Sequence, residues 1–362
     1  MVASSRKIPR EKSVSLQDIA NRCGVTKATV FHALQGNRKR VGNETRKRIL
    51  VVAEELGYDA ASQHAAHALS LQKYGRRDLN HVIAMFFPRH SLHHVYYWRM
   101  LQGIMDVLTQ ESFGLLADYD NSAQLCGRLL PAYARGEADG AIVLALPADF
   151  EPVLQQLRAL RGFGKRPVIS LIEPMEGCSL VGADDRLGAR QAALHLLRLG
   201  HRRILRLAPR LESYETYRQR FLGHEDACAE LGLDATSVFR SVTEWQQDKE
   251  HARMVIRRSL DMSPEITAIL APNDPGANWI FEVLHERGMK VPHDISLVGF
   301  DDTEQLLNDS RENTLTTVRV PLEEIGRQAA TMMIDQVRGD NPSQKRLVLA
   351  TELVVRTSAG AI

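Results

Sequence analysis

The chain has 362 residues, 44% of them hydrophobic and 25% charged, which is enough for two or three domains with a sizeable core. No apolar run approaches the roughly 20 residues that a membrane helix needs. The polar, basic opening "MVASSRKIPREKS" lacks the apolar core of a secretory signal. The four cysteines, Cys23, Cys126, Cys178 and Cys228, are far apart and form no C-x-x-C pair. They are expected to be isolated thiols in a reducing cytoplasm, outside any disulfide framework or zinc site.

The net charge of +2 conceals a polarity. Residues 1–53 hold 12 Lys/Arg against 3 Asp/Glu, whereas the remainder holds 34 against 41. A basic head on an acidic body suggests that the head meets a polyanion and the body does not.

Three short helices are predicted in the head. The first, about 16–22, carries Leu16, Ile19 and Ala20 on one face. Gly24 follows where a tight turn needs positive φ. Thr26 has the chemistry to cap a second helix, about 27–35, which turns Val30 and Leu34 inward. A third, about 44–56, buries Ile49, Ala53 and Leu56 and ends at Gly57. Two helices around a glycine turn, supported by a third, make a helix-turn-helix.

The outer face of the second helix offers Lys27, Ala28, Thr29 and His32, near the half that reaches base edges in the major groove. Lys27 can donate to guanine, His32 to guanine or phosphate, and Ala28 can touch a thymine methyl. Arg38, Lys39, Arg40, Arg46 and Lys47 would follow the phosphates. A three-helix protein-interaction module is the competing reading.

The run "VSLQDIANRCGVTKATVFHALQGN…VGNETRKRILVVAEELGY" resembles the DNA-binding head of the lactose-repressor (LacI/GalR) family of bacterial transcription regulators. The resemblance implies that Lys27, Ala28 and His32 set specificity, within a DNA-facing group of Thr26, Lys27, Ala28, Thr29, His32, Asn37, Arg38 and Arg46. Two positions depart from the pattern. Phe31 stands where the family usually has Ser, and Gly42 stands where a Ser caps the third helix, leaving Asn43 as the expected substitute. The head is taken as residues 1–57.

Residues 58–80, "YDAASQHAAHALSLQKYGRRDLN", occupy the place of the family's hinge helix but lack its proline. The Ala-rich composition favours a helix once docked, and Leu69 is the candidate to wedge into the minor groove.

From residue 81 the pattern alternates. Apolar runs predict strands at 81–87, 114–119, 140–146, 166–172, 179–184, 203–209, 268–272 and 296–302. Amphipathic stretches at 97–111, 186–199, 217–231 and 274–288 separate most of them. Such alternation means parallel sheets covered by helices on both faces, and some 280 residues suggest two doubly wound lobes. No G-x-G-x-x-G follows a strand, and no G-x-x-x-x-G-K-[ST], G-x-S-x-G or H-E-x-x-H occurs. The histidines of "HSLHH" lack a nearby Cys or carboxylate at ligand spacing. Neither an enzyme, a cofactor nor a metal site is expected.

The body also resembles the effector domain of the same family, which is like a periplasmic sugar-binding protein. The carrying stretches are "DDRLGARQAALHLLRLGHRRI", "APND", "VPHDISLVGFDD", "LTTVRVPLEEIGRQAA" and "ELVVRTS". The resemblance implies a ligand cleft between two lobes, with lobe 1 about 81–178 and 310–340 and lobe 2 about 179–309 and 341–362. It also implies that Arg220 clamps the ligand, Asp301 and Asn273 exchange hydrogen bonds with it, and Trp245 packs on its ring face. Phe87, Tyr96, Tyr97 and Trp98 are weaker candidates from lobe 1. Ile172 stands where the family often has Asp, followed by Glu173. Structural roles compete at each position. Arg220 could pair with Glu215 or Glu225, Asp301 could cap a turn with Asp302, Trp245 could be lobe packing, and the Tyr96–Trp98 cluster could face a dimer partner.

The expected protein is a homodimeric DNA-binding regulator, a repressor on a near-palindromic operator, controlled by a small molecule. An Arg-Asp-Asn set with aromatic faces suits a sugar or sugar derivative. A nucleobase effector, or a solute-sensing module without a DNA role, is the alternative.

Overall fold

The computed structural model describes residues 14–34, 41–56, 58, 79–86, 95–117, 129–144, 155, 166–209, 211, 214–246, 248–339 and 344–362. Residues up to 79 and from 80 onward form two compact units.

In the head, α1 (Leu16–Cys23), α2 (Lys27–Leu34) and α3 (Asn43–Glu55) lie within a residue or two of the expected bounds. Ser15 and Asp18 cap α1 reciprocally, a capping box legible as S-x-x-D. Gly24 ends α1 at φ 60°, the left-handed turn that lets α2 fold back. Ile19, Ala20, Cys23, Val30, Ala33, Val41, Ile49 and Ala53 form the buried centre. Asn43 does not cap α3: it is the first helical residue, and Gly42 contributes only its carbonyl, accepting from Arg46 N at 2.9 Å.

Among the described residues, the body contains two six-stranded sheets. Their strands are β1 (Val82–Phe86), β2 (Gly114–Ala117), β3 (Gly140–Leu144), β4 (Val168–Leu171), β5 (Ser179–Ala183), β6 (Ile204–Leu207), β7 (Phe239–Val242), β8 (Ala268–Leu270), β9 (Ser296–Asp301), β10 (Thr316–Arg319), β11 (Arg346–Leu349) and β12 (Glu352–Val354). Lobe 1 orders them β11-β5-β4-β3-β1-β2, and lobe 2 orders them β12-β10-β9-β8-β6-β7. Every pairing is parallel except β10 with β12. The covering helices are α4 (Val95–Gln110), α5 (Leu129–Arg135), α6 (Asp185–Arg198), α7 (Glu215–Glu230), α8 (Ala235–Val238), α9 (Lys249–Met262), α10 (Asp274–Glu286) and α11 (Leu322–Arg338).

The lobe boundaries need correction. Ser179–Ala183 belongs to lobe 1, between β4 and β11, although the sequence division placed it in lobe 2. Thr316–Arg319 pairs in lobe 2 and Arg346–Leu349 in lobe 1, again opposite to expectation. The described strands and helices thus place crossings between the lobes near 184, 320 and 350. A buried parallel strand reads as a plain apolar run, and nothing within it says which sheet will accept its hydrogen bonds. Each lobe has its own core. That of lobe 2 includes the buried Leu205, Val255, Ile269, Ile280, Leu297 and Leu315.

Candidate functional site

The exposed face of α2 is the first candidate. Lys27 and Ala28 are exposed, and Thr29 and His32 are half-buried. Thr26 caps the helix: its Oγ1 accepts from Thr29 N at 3.1 Å and lies 2.8 Å from Thr29 Oγ1. The two threonine hydroxyls are thus engaged with each other, whereas Lys27 and Ala28 project outward from the first turn. Phe31, which replaces the usual Ser, packs edge-on against His32 with ring centroids 5.6 Å apart. Arg46 donates from Nε to Ala33 O at 3.3 Å and Arg48 from Nη2 to Cys23 O at 3.2 Å, tying α3 to the ends of α2 and α1. Arg46 accordingly has a structural bond that the phosphate-contact reading did not include. Asn37, Arg38 and Leu69 lie outside the described residues.

The second candidate stands where the C-terminal ends of the lobe 2 strands face lobe 1, the place where open parallel sheets bind ligands. Arg220, on the buried face of α7, is held by three groups. Its Nε donates to Asp185 Oδ1 at 2.7 Å and its Nη1 to Pro272 O at 2.7 Å. Its Nη2 lies 3.5 Å from Asp301 Oδ1. Below it, the guanidinium carbon sits 3.5 Å from the Phe300 ring centroid and 4.9 Å from that of Tyr217, as cation–π contacts do. Burial works against this cation, but Asp185 and Asp301 overcome the penalty and hold its pKa above the usual value.

Glu215 and Glu225, the partners open to Arg220 in the sequence, are taken by Arg218 and Arg206. Asp185 was not a candidate. Its only sequence signal was a second acid directly after a strand, at the start of a helix.

Asp301 ends β9 at φ 101°, followed by Asp302 at φ 53°. Two successive non-glycine residues in the left-handed half of φ are the kind of strain that collects at functional sites. Asp302 receives Arg319 at 2.8 Å and Arg356 at 2.9 Å, so it does not share a turn cap with Asp301. Asp301 is buried, and its Oδ1 makes no hydrogen bond despite the nearby guanidinium. Burial, followed by the cation's opposing pull and the charge on Asp185, leaves its pKa raised to about 7.

Asp274, the first residue of α10, is fully buried. Its Oδ1 accepts from Thr317 Oγ1 at 2.6 Å and its Oδ2 from Thr303 N at 2.7 Å. Burial and the charge of Asp301 push its pKa up to about 8.

The remaining candidates divide. Tyr96 and Tyr97, half-buried in the first turn of α4, feel the charge of Asp301 across the cleft. Burial, then neighbouring tyrosine and carboxylate charges, keep both hydroxyls protonated far above neutrality. Trp98 on the same helix is 51% exposed and is not part of this cluster.

Asn273 uses its Oδ1 to cap α10, accepting from Gly276 N at 2.8 Å, so its oxygen serves the helix. Trp245 is only 3% exposed and stacks near Trp279, centroids 6.1 Å apart and planes at 16°. It has no open ring face to lay on a ligand, which corrects that expectation, and its buried Nε1 has no acceptor. Phe87 and all three histidines of "HSLHH" lie outside the described residues. Among the described residues, no group of three or more His, Cys, Asp or Glu could hold a metal ion, and no helix is long and apolar enough to cross a membrane.

Comparison with known proteins matches residues 15–60 to the lacI family of bacterial regulatory proteins. Residues 193–359 match a periplasmic binding protein-like domain. The transcriptional regulator CelR of Thermobifida fusca is 28% identical over 352 residues, which is 96% of this chain and 99% of that protein. The solved structure of a CelR–cellobiose complex superposes with a TM-score of 0.65 at 25% identity, covering 95% of this chain and 99% of the other. The lac repressor dimer bound to operator and the anti-inducer ONPF gives a TM-score of 0.71 at 21% identity, covering 97% and 100%, a likeness of fold.

A helix-turn-helix head joined to a two-lobed body, with a charged cluster where the lobes meet, defines a DNA-binding regulator responsive to a small molecule. The chain carries a lacI-family helix-turn-helix domain and a periplasmic-binding-protein-like domain, and the relatives it matches are transcriptional regulators of the LacI family.

Proposed function

We propose that this regulator is a repressor acting as a homodimer on a near-palindromic operator, released or tightened by a neutral, polyhydroxylated effector of the sugar class bound between the lobes. The observation that carries the effector class is the pairing of Arg220 with Asp185 and Asp301, in which Asp301 Oδ1 has no hydrogen bond. A guanidinium fork beside a carboxylate acceptor matches adjacent hydroxyls. An acidic ligand would meet Asp185, Asp301 and Glu173 against one cation. The relative CelR has been solved with cellobiose, and the lac repressor has been solved as a dimer on its operator. Both support this reading. Lys27 and Ala28, exposed in the first turn of α2, are the proposed base readers, with His32 one turn further on. The half-buried rings of Tyr96, Tyr97 and Tyr217 near Asp301 favour one second reading, a flat heterocycle such as a nucleobase.

The test is a selection of random duplex DNA on the full chain, followed by thermal shift with neutral sugars, sugar acids, sugar phosphates and nucleobases. A ligand at 100 times its dissociation constant adds about 2.7 kcal/mol of apparent stability. A stabilising neutral sugar that changes affinity for the selected DNA supports the proposal. Stabilisation confined to acids or phosphates overturns the effector class, and no enriched sequence overturns the operator reading.

A further inference from the structure

One carboxylate joins the two lobes. Glu173 lies two residues beyond β4, in lobe 1, and is 5% exposed. Its Oε2 accepts from the Glu215 N–H at 2.9 Å, and its Oε1 accepts from the Thr216 N–H at 3.2 Å and from the Thr216 hydroxyl. Glu215 and Thr216 are the first two residues of α7, in lobe 2.

Tyr214, at the capping position, makes no side-chain hydrogen bond to the helix. Two orphan N–H groups of a lobe 2 helix are therefore satisfied by a charged acceptor from lobe 1. The backbone that delivers Glu173 is itself unusual. Ile172, a β-branched residue, sits at φ 67°, and the Ser170 hydroxyl donates to the Glu173 carbonyl across the bend. Arg220 follows Thr216 by four residues on the same helix, so whatever fixes the first turn of α7 also aims the guanidinium.

We propose that Glu173 is an interlobe latch and the positioning residue for Arg220, capping α7 from the opposite lobe so that the helix is fully capped only when the cleft is closed. Among the described residues, Arg99 Nη1 also donates across the lobes, to the Asp302 carbonyl at 3.3 Å. Opening the cleft removes the acceptor from both amides at once, so the cap and the closure are a single event. The regulatory meaning of the latch rests on the effector reading above. The contact does not, and its test needs no effector.

The test uses the full chain with hydrogen exchange at the amides of residues 215 and 216. Spin-label distances are measured in parallel between Gln110→Cys in lobe 1 and Glu250→Cys in lobe 2, with the native cysteines replaced by alanine. In Glu173→Ala the two amides are expected to exchange at least about tenfold faster, as loss of a charged acceptor implies, while the middle of α7 stays protected. The distance distribution should broaden toward longer separations. Glu173→Gln, which keeps an acceptor oxygen and the side-chain volume, should lie between Ala and wild type. Thr216→Val should weaken the latch less, and its effect should vanish when Glu173 is already Ala. Unchanged exchange in Glu173→Ala overturns the proposal, and so does faster exchange with unaltered distances, which would make Glu173 a local cap only. Should the alanine variant fail to fold, the same two readouts on Glu173→Gln decide the matter.

Discussion

Replacing Arg220 by Met should destabilise the body far more than replacing Asp301 by Asn, although the two residues face each other. Arg220 is the single cation among two buried carboxylates, with its side chain 10% exposed and those of Asp185 and Asp301 6% and 9% exposed. Methionine keeps most of the volume and the packing on Phe300. It strips Asp185 of a 2.7 Å charged hydrogen bond, takes the counter-charge from Asp301, and leaves the Pro272 carbonyl without its donor. Two like charges then share a dry site, and breaking such a buried pair costs about 3–5 kcal/mol.

Asp301→Asn removes only a 3.5 Å ion contact that is not a hydrogen bond, and it relieves one of the two carboxylates. Its cost should be about 1 kcal/mol or less. All three tryptophans, Trp98, Trp245 and Trp279, lie in the body, so urea titration followed by tryptophan fluorescence at pH 7 reads this unit alone. A cost for Asp301→Asn equal to or above that for Arg220→Met would refute the view of Arg220 as the sole compensating charge. The double variant Arg220→Met/Asp301→Asn should recover part of the loss, because one of the stranded carboxylates is gone.

The pH dependence follows from the same cluster. The pKa of Asp301 is raised to about 7, so the stability it lends is present below its ordinary pKa and is lost as pH rises from about 4 through 7. Thermal melts should therefore show Asp301→Asn gaining on wild type across that window, and a gain confined to lower pH would refute the assignment. Between α4 and α11, Gly103 faces backbone so closely that an added Cβ would lie 1.9 Å from Glu323 O. Gly103→Ala should force the helices apart at a net cost of about 1–3 kcal/mol despite alanine's better helix propensity, read as a lower denaturation midpoint. In the head, Thr26→Ala removes the oxygen that receives Thr29 N and should cost about 1 kcal/mol of head stability by circular dichroism. Lys27→Ala and His32→Ala should each relax preference at one base pair per half-site by about 1–3 kcal/mol, whereas an equal loss on every sequence would mean phosphate contact only.

Much of the fold was determined by the sequence alone, for local reasons. The head is short-range: α1, α2 and α3 carry their apolar positions at helical spacing, Gly24 supplies the turn, and Thr26 supplies the cap. Eight of the strands announced themselves as apolar runs, seven of them because a strand buried on both faces has no polar alternation to disguise it, and β2, only half-buried, through Leu115 and Leu116. The four that did not, β7, β10, β11 and β12, carry exposed residues or lie near lobe crossings, where short mixed runs look like loops. Only the tertiary structure could assign β5 and β11 to one sheet and β10 to the other, since strand pairing is made by backbone groups common to every residue.

The site divides along the same line. Arg220 and Asp301 were legible through motifs. The capture of Asn273 by a helix cap and the burial of Trp245 beside Trp279 were not. Asp185 and Glu173 act through partners 35 and 42 or 43 residues away, and charge at that range is decided by folding. Glu173 is the clearest case. Its neighbours in sequence show a strand end followed by an acid, and only the approach of a second lobe turns that acid into a helix cap.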